Sequence, residues 1–380
     1  MTTCLSPGGT TIYNNNQFSS QLMVATTQGL ITLSEAESGE WHQSDSQLIE
    51  HHFCALLQTP EGRFIAGSHD AGIFVSDDGT DWRPANQGLS VTNVYSLAVT
   101  ERNGKTLVYA GTEPANLFVS EDLGESWLHL EGLNTVSNAD TWTFPAPPFL
   151  GHIKTIAIDP HNSERLYACI EQGGLYRSSD AGQSWTQLAE DLPNDLHRAV
   201  VSPVNPERLF IADGFFFNRS DDGGQTWFEM ADLIPRIGYA DQLVCHPNKP
   251  DHLVVVGGYA TPEAWATGSA RSAIYYTRDG GDSWQQADQG LPAEMMPSFE
   301  AGCLEACADQ SRIFLGNTHG EVWLSSDEGI SWNKIATGLP WVSKCFHADL
   351  IHGKLQLSEE DIQIPAELRE KMTEMVDRNS

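Results

Sequence analysis

A short turn motif that ends in tryptophan recurs along the chain, and it constrains the fold more than any other feature. Five copies read Ser/Thr-x-Asp-x-Gly-x-Ser/Thr-Trp, at residues 120–127, 178–185, 220–227, 277–284 and 325–332. A sixth copy, at 76–82, is one residue shorter, and a seventh, at 29–41, is degenerate and has lost the aspartate and the glycine of the motif. A repeated unit of this kind predicts a repeat architecture.

The spacing of the motif gives the size of the unit. The seven closing tryptophans recur at intervals of 41 to 58 residues, at positions 41, 82, 127, 185, 227, 284 and 332. About 40 to 50 residues is the length of one four-stranded propeller blade. The sequence therefore predicts an all-β fold, a seven-bladed β-propeller of four-stranded antiparallel blades, as a single domain over residues 1–357 of the 380.

The residue types of the motif suit a hairpin turn. Aspartate accepts backbone N–H groups across a tight turn, glycine supplies a positive φ, and tryptophan leaves the turn to pack in the core. The alternative, that the six aspartates are catalytic or bind metal, is disfavoured because each lies in a turn that is closed on itself.

The motif resembles that of the Asp-box (BNR) repeat propellers, which include sialidases, xyloglucanases, sortilin-type receptors and photosystem II assembly factors. The resemblance runs from about residue 21 to 350 and implies architecture only, because these relatives differ widely in function. The Arg-Ile-Pro signature of sialidases is missing, since the chain reads Ile234-Pro235-Arg236. A standard sialidase activity is therefore not expected.

Closure of the ring is predicted to involve both ends of the chain. The first blade lacks an obvious inner strand, and residues 343–350 have the pattern of one. Pairing of the N- and C-terminal segments would then remove the exposed sheet edges. Residues 10–14 are the competing candidate for that strand, and residues 358–380 are predicted to form a short helical tail.

Charge and cysteine content limit the partners and the compartment. The formal net charge is -30 at pH 7, which disfavours nucleic acid and anionic membrane surfaces as partners. The first residues do not have the pattern of an export signal, so none is expected, and no run of about 18 apolar residues is present. The seven cysteines lack a regular spacing and are expected to be buried, reduced thiols, so we expect a cytoplasmic protein of unknown oligomeric state.

Two long insertions point to one face of the predicted disc. Residues 132–151 connect an outer strand to the next inner strand, and residues 257–272 connect a second strand to a third, so both lie opposite the Asp boxes. The first insertion carries Trp142, and the second carries Trp265 and Arg271. Exposed aromatic side chains suit sugar rings, peptides or a protein partner, although they suit equally well lids that are pinned by their own aromatics.

The inner strands begin on that same face, and their first residues are unusually polar. Titratable groups of both signs that converge on one axial funnel are what an acid–base site requires. The candidate catalytic residues are Asp241, His197, His52 and Glu300. The candidate substrate-binding residues are Tyr95, Trp142, His152, Lys154, Arg198, Arg236, Trp265, Arg271 and Lys344.

These observations favour a ligand-binding propeller, of glycoside hydrolase or lyase type if it is an enzyme, that acts on a carbohydrate or small polar metabolite. One alternative is a non-catalytic scaffold that presents this face to a protein partner. A second is a metal-dependent enzyme in which His52, His152 and His197 hold a divalent ion, although no sequence spacing fixes their geometry. No cofactor is otherwise expected.

Overall fold

The computed structural model describes residues 1–144, 148–188, 192–215, 217–249, 251–260 and 269–344. The predicted tail at 358–380, most of the predicted closing strand at 343–350, and Trp265 lie outside these residues. The described chain forms 29 strands and three short 3-10 turns, at Glu131–Thr135, Ala139–Thr141 and Ala231–Leu233.

The strands assemble into seven sheets, which confirms the seven-bladed propeller of four-stranded antiparallel blades. Blade 1 contains β1 (Thr3–Leu5), β3 (Gln21–Thr26), β4 (Gly29–Glu35) and β5 (Trp41–Gln47). Blade 2 contains β6 (Phe53–Gln58), β7 (Phe64–Ser68), β8 (Ile73–Ser76) and β9 (Arg83–Pro84). Blade 3 contains β10 (Val94–Arg102), β11 (Lys105–Thr112), β12 (Leu117–Ser120) and β13 (Leu128–His129).

The remaining blades repeat this order. Blade 4 contains β14 (His152–Asp159), β15 (Asn162–Glu171), β16 (Gly174–Ser178) and β17 (Thr186–Leu188). Blade 5 contains β18 (Leu196–Val201), β19 (Leu209–Asp213), β20 (Phe217–Ser220) and β21 (Phe228–Glu229). Blade 6 contains β22 (Tyr239–Cys245), β23 (Leu253–Gly258), β24 (Ala273–Thr277) and β25 (Gln285–Gln286). Blade 7 contains β26 (Phe299–Cys307), β27 (Gln310–Asn317), β28 (Val322–Ser325) and β29 (Asn333–Ala336), and β2 (Ile12–Asn14) adds a fifth strand to it.

The Asp boxes form the turns between the third and fourth strands, as the motif predicts. In blade 4, the Asp180 carboxylate accepts the backbone N–H of Ser184 at 2.9 Å and its hydroxyl at 2.5 Å. The hydroxyl of Ser178 accepts the N–H of Gly182, whose φ is 91°, and the Trp185 indole donates to the Gly182 carbonyl. Each box is thus a turn closed on itself, on the face opposite the two insertions.

The predicted closure of the ring by the two termini is not confirmed. The inner position of blade 1 is held by β1, which runs parallel to β3 with Cys4 opposite Met23. The competing segment, β2, pairs in parallel with β26 of blade 7 instead. Both N-terminal strands bury apolar side chains, with Cys4 and Leu5 fully buried and Tyr13 at 2% exposure. The N-terminal segment β1 therefore supplies the inner strand of blade 1, which the hydrophobic pattern alone did not identify.

The segment between β1 and β2 crosses the axis of the propeller. The Gly8 N–H donates to the Cys54 carbonyl of blade 2, and the Leu97 N–H of blade 3 donates to the Gly8 carbonyl. A Cβ at Gly8 would lie 1.9 Å from the Tyr95 carbonyl oxygen, so only glycine allows this approach. Arg198 of blade 5 donates to the Pro7 carbonyl at 2.5 Å. Residues 6–11, here called the axial loop, therefore fill the passage between the blades.

The cysteines depart in part from expectation. Cys4, Cys169, Cys245, Cys303 and Cys307 are reduced thiols, and all but Cys307 are buried. Cys54, in contrast, is disulfide-bonded, so the prediction that all seven are reduced is wrong. Among the helices of the described residues, none has the length and apolar character that crossing a bilayer requires.

A buried histidine caps the turn between the first two strands of blade 6. The His246 Nδ1 accepts the backbone N–H groups of Asn248 and Lys249, each at 3.1 Å. At the same repeat position of blade 5, the Ser202 hydroxyl accepts two backbone N–H groups. His246 is fully buried, and burial lowers its pKa to about 4. The neutral ring is therefore part of the folded structure.

This geometry predicts an acid-sensitive contribution to stability. An unfolded histidine binds a proton near pH 6.5, but folded His246 does so only near pH 4, so the free energy of unfolding should fall as the pH drops through that window. We expect His246→Ser, which copies the cap of blade 5, to reduce the loss between pH 7 and 4.5 by about 1 to 2 kcal/mol. Urea unfolding of both proteins at the two pH values measures this difference. Equal losses in the two proteins would refute it.

Candidate functional site

A bulge near the start of the inner strand turns one side chain out of the regular ladder in blades 2 to 7. The strand register skips the second or third residue of these six inner strands, namely Cys54, Tyr95, Lys154, His197, Asp241 and Glu300. Bulges re-aim side chains and are frequent beside active sites. Five of these six residues are the polar side chains that the sequence predicted for the axis. In blade 2 the equivalent residue is Cys54, and the predicted His52 lies just before the strand.

Blade 4 contributes a hydrogen-bonded trio at the axis. The Glu171 carboxylate contacts His152 Nε2 at 2.7 Å and the Lys154 ammonium at 2.5 Å. His152 Nδ1 lies 3.2 Å from Glu113 of blade 3, and the Tyr95 ring stacks on the imidazole at a centroid distance of 3.9 Å. All five side chains are buried. One glutamate therefore holds a histidine and a lysine side by side.

His197 of blade 5 joins this trio. Its Nδ1 lies 2.6 Å from the Ala240 carbonyl oxygen, and its Nε2 lies 3.3 Å from Asp195 and 3.9 Å from Glu171. The ring is also packed against Tyr239, at a centroid distance of 4.5 Å. The imidazole is thus fixed on three sides.

A second group of charges meets at Lys344. Its ammonium forms an ion pair with Asp241, and its backbone N–H donates to Glu300 at 2.6 Å. The Ser343 hydroxyl also donates to Glu300, at 3.1 Å. Asp241 and Glu300 are fully buried, and Lys344 is 7% exposed. Of these residues, Asp241 also interacts electrostatically with Lys154 and His197, which links the two groups. Together they form what we call the axial cluster.

The environment of the axial cluster shifts its titrations. Burial lowers the pKa of Lys154, against the attraction of Glu171. Burial alone would lower the pKa of His152, but its contacts with Glu113 and Glu171 raise it. Burial would raise the pKa of Asp241, but Lys344 and His197 lower it. His152 is therefore favoured as an imidazolium, and Asp241 as a carboxylate.

The remaining axial predictions have local partners. Arg198, 5% exposed, reaches the axial loop at Pro7, and burial lowers its pKa to about 10. The His52 Nε2 lies 3.2 Å from the Ser343 carbonyl, and its ring is 5.8 Å from that of His69. Both residues border the axial cluster.

Three other predicted ligand-binding residues do not join the cluster. The Trp142 indole donates to the Tyr176 hydroxyl at 2.9 Å, which pins the first insertion to blade 4. Arg236 lies beside Tyr275 of blade 6, and the Arg271 guanidinium stacks over Tyr259 at 4.6 Å. Arg198, Arg236 and Arg271 therefore contact different parts of the structure and do not form a common carboxylate clamp.

The sequence reasoning missed three carboxylates of the site. Glu171 is the last residue of β15 and pairs in register with His152, Glu113 follows β11, and Asp195 precedes β18. The second strands end on the face where the inner strands begin, so acidic residues at those ends are the signal that could have found Glu171 and Glu113, whereas Asp195 lies directly before an inner strand. The sequence prediction considered only the inner strands, so it did not include these carboxylates.

Within the part of the chain that the structure describes, the ligand atoms of His52, His152 and His197 are not a group that lies within 4.8 Å of one another. In that part of the chain, the group whose ligand atoms lie close enough to share one ion is Glu171, Asp195 and His197, within 4.8 Å of one another. Of the predicted three, only His197 belongs to it.

Two cavities of the described chain lie away from the axis. One, of about 320 Å³, is lined by Trp41 and His42 of blade 1 and by Lys334 and Ile335 of blade 7. The other, of about 260 Å³, is lined by residues that include Met295, His319 and Trp323. Neither contains a member of the axial cluster, so both are alternative places for a ligand.

Comparisons with known proteins agree on the architecture. A family model described as Sortilin, neurotensin receptor 3, matches residues 173–293. An oligoxyloglucan-reducing end-specific xyloglucanase of Emericella nidulans is 24% identical over 241 residues, which are 59% of this chain and 25% of that enzyme. The chain thus spans about a quarter of the curated relative that it matches.

Two solved structures show the same fold. An ancestral GH74 enzyme superposes with a TM-score of 0.57 at 17% identity, covering 74% of this chain and 38% of the enzyme. The structure titled YCF48 bound to D1 peptide superposes with a TM-score of 0.55 at 16% identity, covering 83% of this chain and 90% of that one. Together with the seven blades, these matches support a β-propeller architecture of the Asp-box (BNR) type.

Proposed function

We propose that the axial cluster binds a neutral, hydroxyl-rich ligand of the carbohydrate class and exchanges protons with it. The observation that carries this proposal is the burial of ionisable side chains from blades 3 to 7 at one end of the axis, none more than 7% exposed. Buried charges seldom improve stability over apolar packing, and shifted titrations concentrate at functional sites. A purely structural role does not account for so many charges in one place.

The balance of charges favours a neutral ligand with hydroxyl groups. Besides its histidines and the amines of Lys154 and Lys344, with Arg198 at its border, the cluster contains five carboxyl groups, namely those of Glu113, Glu171, Asp195, Asp241 and Glu300. Hydroxyl groups both donate and accept, so they can satisfy alternating carboxylates and cations. A strongly charged ligand of either sign would meet repulsion from one set. The xyloglucanase match supports this ligand class.

The geometry favours particular proton carriers. His152 and Lys154 are held by the two oxygens of one carboxylate, Glu171, so they lie side by side. The raised pKa of His152 suits a proton donor, and the lowered pKa of Lys154 suits a proton acceptor. Asp241 is paired with Lys344, so it suits charge stabilisation better than acid catalysis. The chemistry we propose is proton transfer of the lyase or hydrolase type.

Substitution of Lys154 tests this function. We expect a neutral oligosaccharide from a panel of sugars and sugar acids to raise the melting temperature, and Lys154→Met to weaken its binding at least tenfold in calorimetric titration. Lys105→Met is the matched control, because Lys105 is exposed and pairs only at the surface with Glu121. Circular dichroism establishes that both variants are folded. Unchanged affinity in folded Lys154→Met would exclude the axial cluster as the binding site.

A second candidate function is that of a non-catalytic scaffold. It is favoured by the axial loop, which fills the passage between the blades, and by the coverage of the peptide-bound propeller, 90% of whose chain matches. The net charge of -30 would then select a basic partner, and binding would weaken as salt rises. Binding of a lysine- and arginine-rich peptide that falls steeply from 50 to 500 mM NaCl, with no response to any sugar, would support this alternative.

A further inference from the structure

From the geometry around His197, we infer that His197, Asp195 and Glu171 form a binding site for a divalent transition-metal ion inside the axial cluster. The inference deepens the proposed function and rests on it in one respect, because the ion would lie among the groups that contact the ligand. The site is defined by the positions of these three side chains and their neighbours.

The hydrogen bond of His197 fixes which ring nitrogen is free. A carbonyl oxygen only accepts, so Nδ1, at 2.6 Å from the Ala240 oxygen, carries a proton. In the neutral ring, Nε2 then presents a lone pair. His197 is 1% exposed, and its Nε2 has no hydrogen-bond partner within the part of the chain that the structure describes. Histidines that ligate metals commonly donate their other N–H to a carbonyl in this way.

The free lone pair faces two carboxylates. Nε2 lies 3.3 Å from an Asp195 oxygen and 3.9 Å from a Glu171 oxygen. Donor atoms this close together repel one another unless a positive charge lies near them, and at Glu171 the Lys154 ammonium supplies part of that charge. The three ligand atoms are within 4.8 Å of one another, which one ion bound at about 2.0 to 2.2 Å from each can bridge after small adjustments.

The surroundings hold both carboxylates in place. The second oxygen of Glu171 contacts His152 Nε2 at 2.7 Å. Asp195 lies against Gly214, where a Cβ would come within 2.0 Å of the carboxylate. The Gly214 N–H also donates to the Asp195 carbonyl. The Asp195 carboxylate therefore fits against Gly214 only because glycine has no side chain.

Lys154 is the competitor of the ion. Its ammonium contacts the same Glu171 oxygen that faces His197. The two substitutions should therefore change the metal affinity in opposite directions. Loss of His197 removes a ligand, whereas loss of the Lys154 charge frees a Glu171 oxygen for the ion. One imidazole and two carboxylates suit manganese or zinc better than calcium or magnesium, which prefer all-oxygen sites.

Titration of chelator-treated protein with MnCl₂ or ZnCl₂, without sugar, tests the inference. We expect one ion per chain, a rise in melting temperature, and weaker binding by at least 100-fold in His197→Gln. Lys154→Met should bind the ion more tightly, and Gly214→Ala more weakly by about 10- to 100-fold. His246→Ser is the matched control, because His246 is also buried with an unpartnered Nε2 but lies outside the cluster, and its binding should equal that of the wild type.

The outcomes separate this inference from the proposed function. Absence of binding, equal binding in His197→Gln, or equal stabilisation by CaCl₂ would overturn the metal site. Sugar binding measured in EDTA would be unaffected by that result. Conversely, metal binding without any sugar response would leave the ion site standing and remove the carbohydrate proposal. Anomalous diffraction at the manganese or zinc edge locates the ion independently.

Discussion

Removal of residues 1–14 is expected to abolish the cooperative unfolding transition of this propeller. These residues supply β1, the inner strand of blade 1, and β2, which extends blade 7. Cys4, Leu5 and Tyr13 belong to the apolar cluster that joins the two blades. Loss of one buried Leu-sized side chain costs about 2 to 5 kcal/mol, so loss of both strands should exceed about 5 kcal/mol and approach the whole stability of a domain.

Two controls separate this effect from general truncation damage. A chain that lacks only Met1 and Thr2 keeps β1 and should unfold within about 1 kcal/mol of the intact protein, as surface changes usually do. Addition of a synthetic peptide of residues 1–14 to the long truncation should restore a transition, because strand addition to an open sheet edge recreates the missing pairing. Unfolding of the long truncation at the melting temperature of the intact protein would contradict the observed closure.

The second large effect is expected at the buried pair of Asp241 and Lys344. Asp241→Asn leaves the Lys344 ammonium buried without its ion-pair partner, and removal of one partner from such a pair costs about 3 to 5 kcal/mol. Lys344→Met should be comparably costly, because each partner keeps opposite charges nearby, Lys154 for Asp241 and Glu300 for Lys344. Urea unfolding of the two variants measures both costs.

The double variant distinguishes an ion pair from two independent contributions. Asp241→Asn with Lys344→Met removes both charges, so it should be more stable than Asp241→Asn alone by at least about 2 kcal/mol. Asp221→Asn, which breaks the more exposed contact with Arg208, is the matched control and should cost about 1 kcal/mol or less. Additive losses in the double variant would show that the pair is not a coupled unit.

The repeated motif made the propeller architecture predictable from the sequence. The way in which the ring closes was not predictable. The Asp-box motif forms its turn through local contacts alone, as Asp180, Gly182 and Ser184 do in blade 4, so each copy of the motif predicts a turn. Closure depends on which short strand reaches a particular sheet edge. Residues 3–5 are too short to show a period, and their pairing with β3 is parallel and long-range. No local pattern distinguishes such a strand from residues 10–14 or 343–350.

The axial site was predictable in its inner-strand residues only. The polar residues Lys154, His197 and Asp241 stand out in otherwise apolar strands, so the sequence indicated them. The bulges that turn them toward the axis leave no sequence signal, because a skipped residue changes the side-chain alternation without changing the composition. Which charges pair across blades, as Glu171 does with His197, also depends on the closed ring.

The most direct test of the central claim is a crystal structure of the protein soaked with the sugar that gives the largest thermal shift. We expect electron density for the sugar at the axial cluster, with its hydroxyl groups within hydrogen-bond distance of Lys154, Glu171 or Asp241. Density in the cavity between blades 1 and 7, beside Trp41 and Lys334, with the axial cluster unchanged, would contradict it.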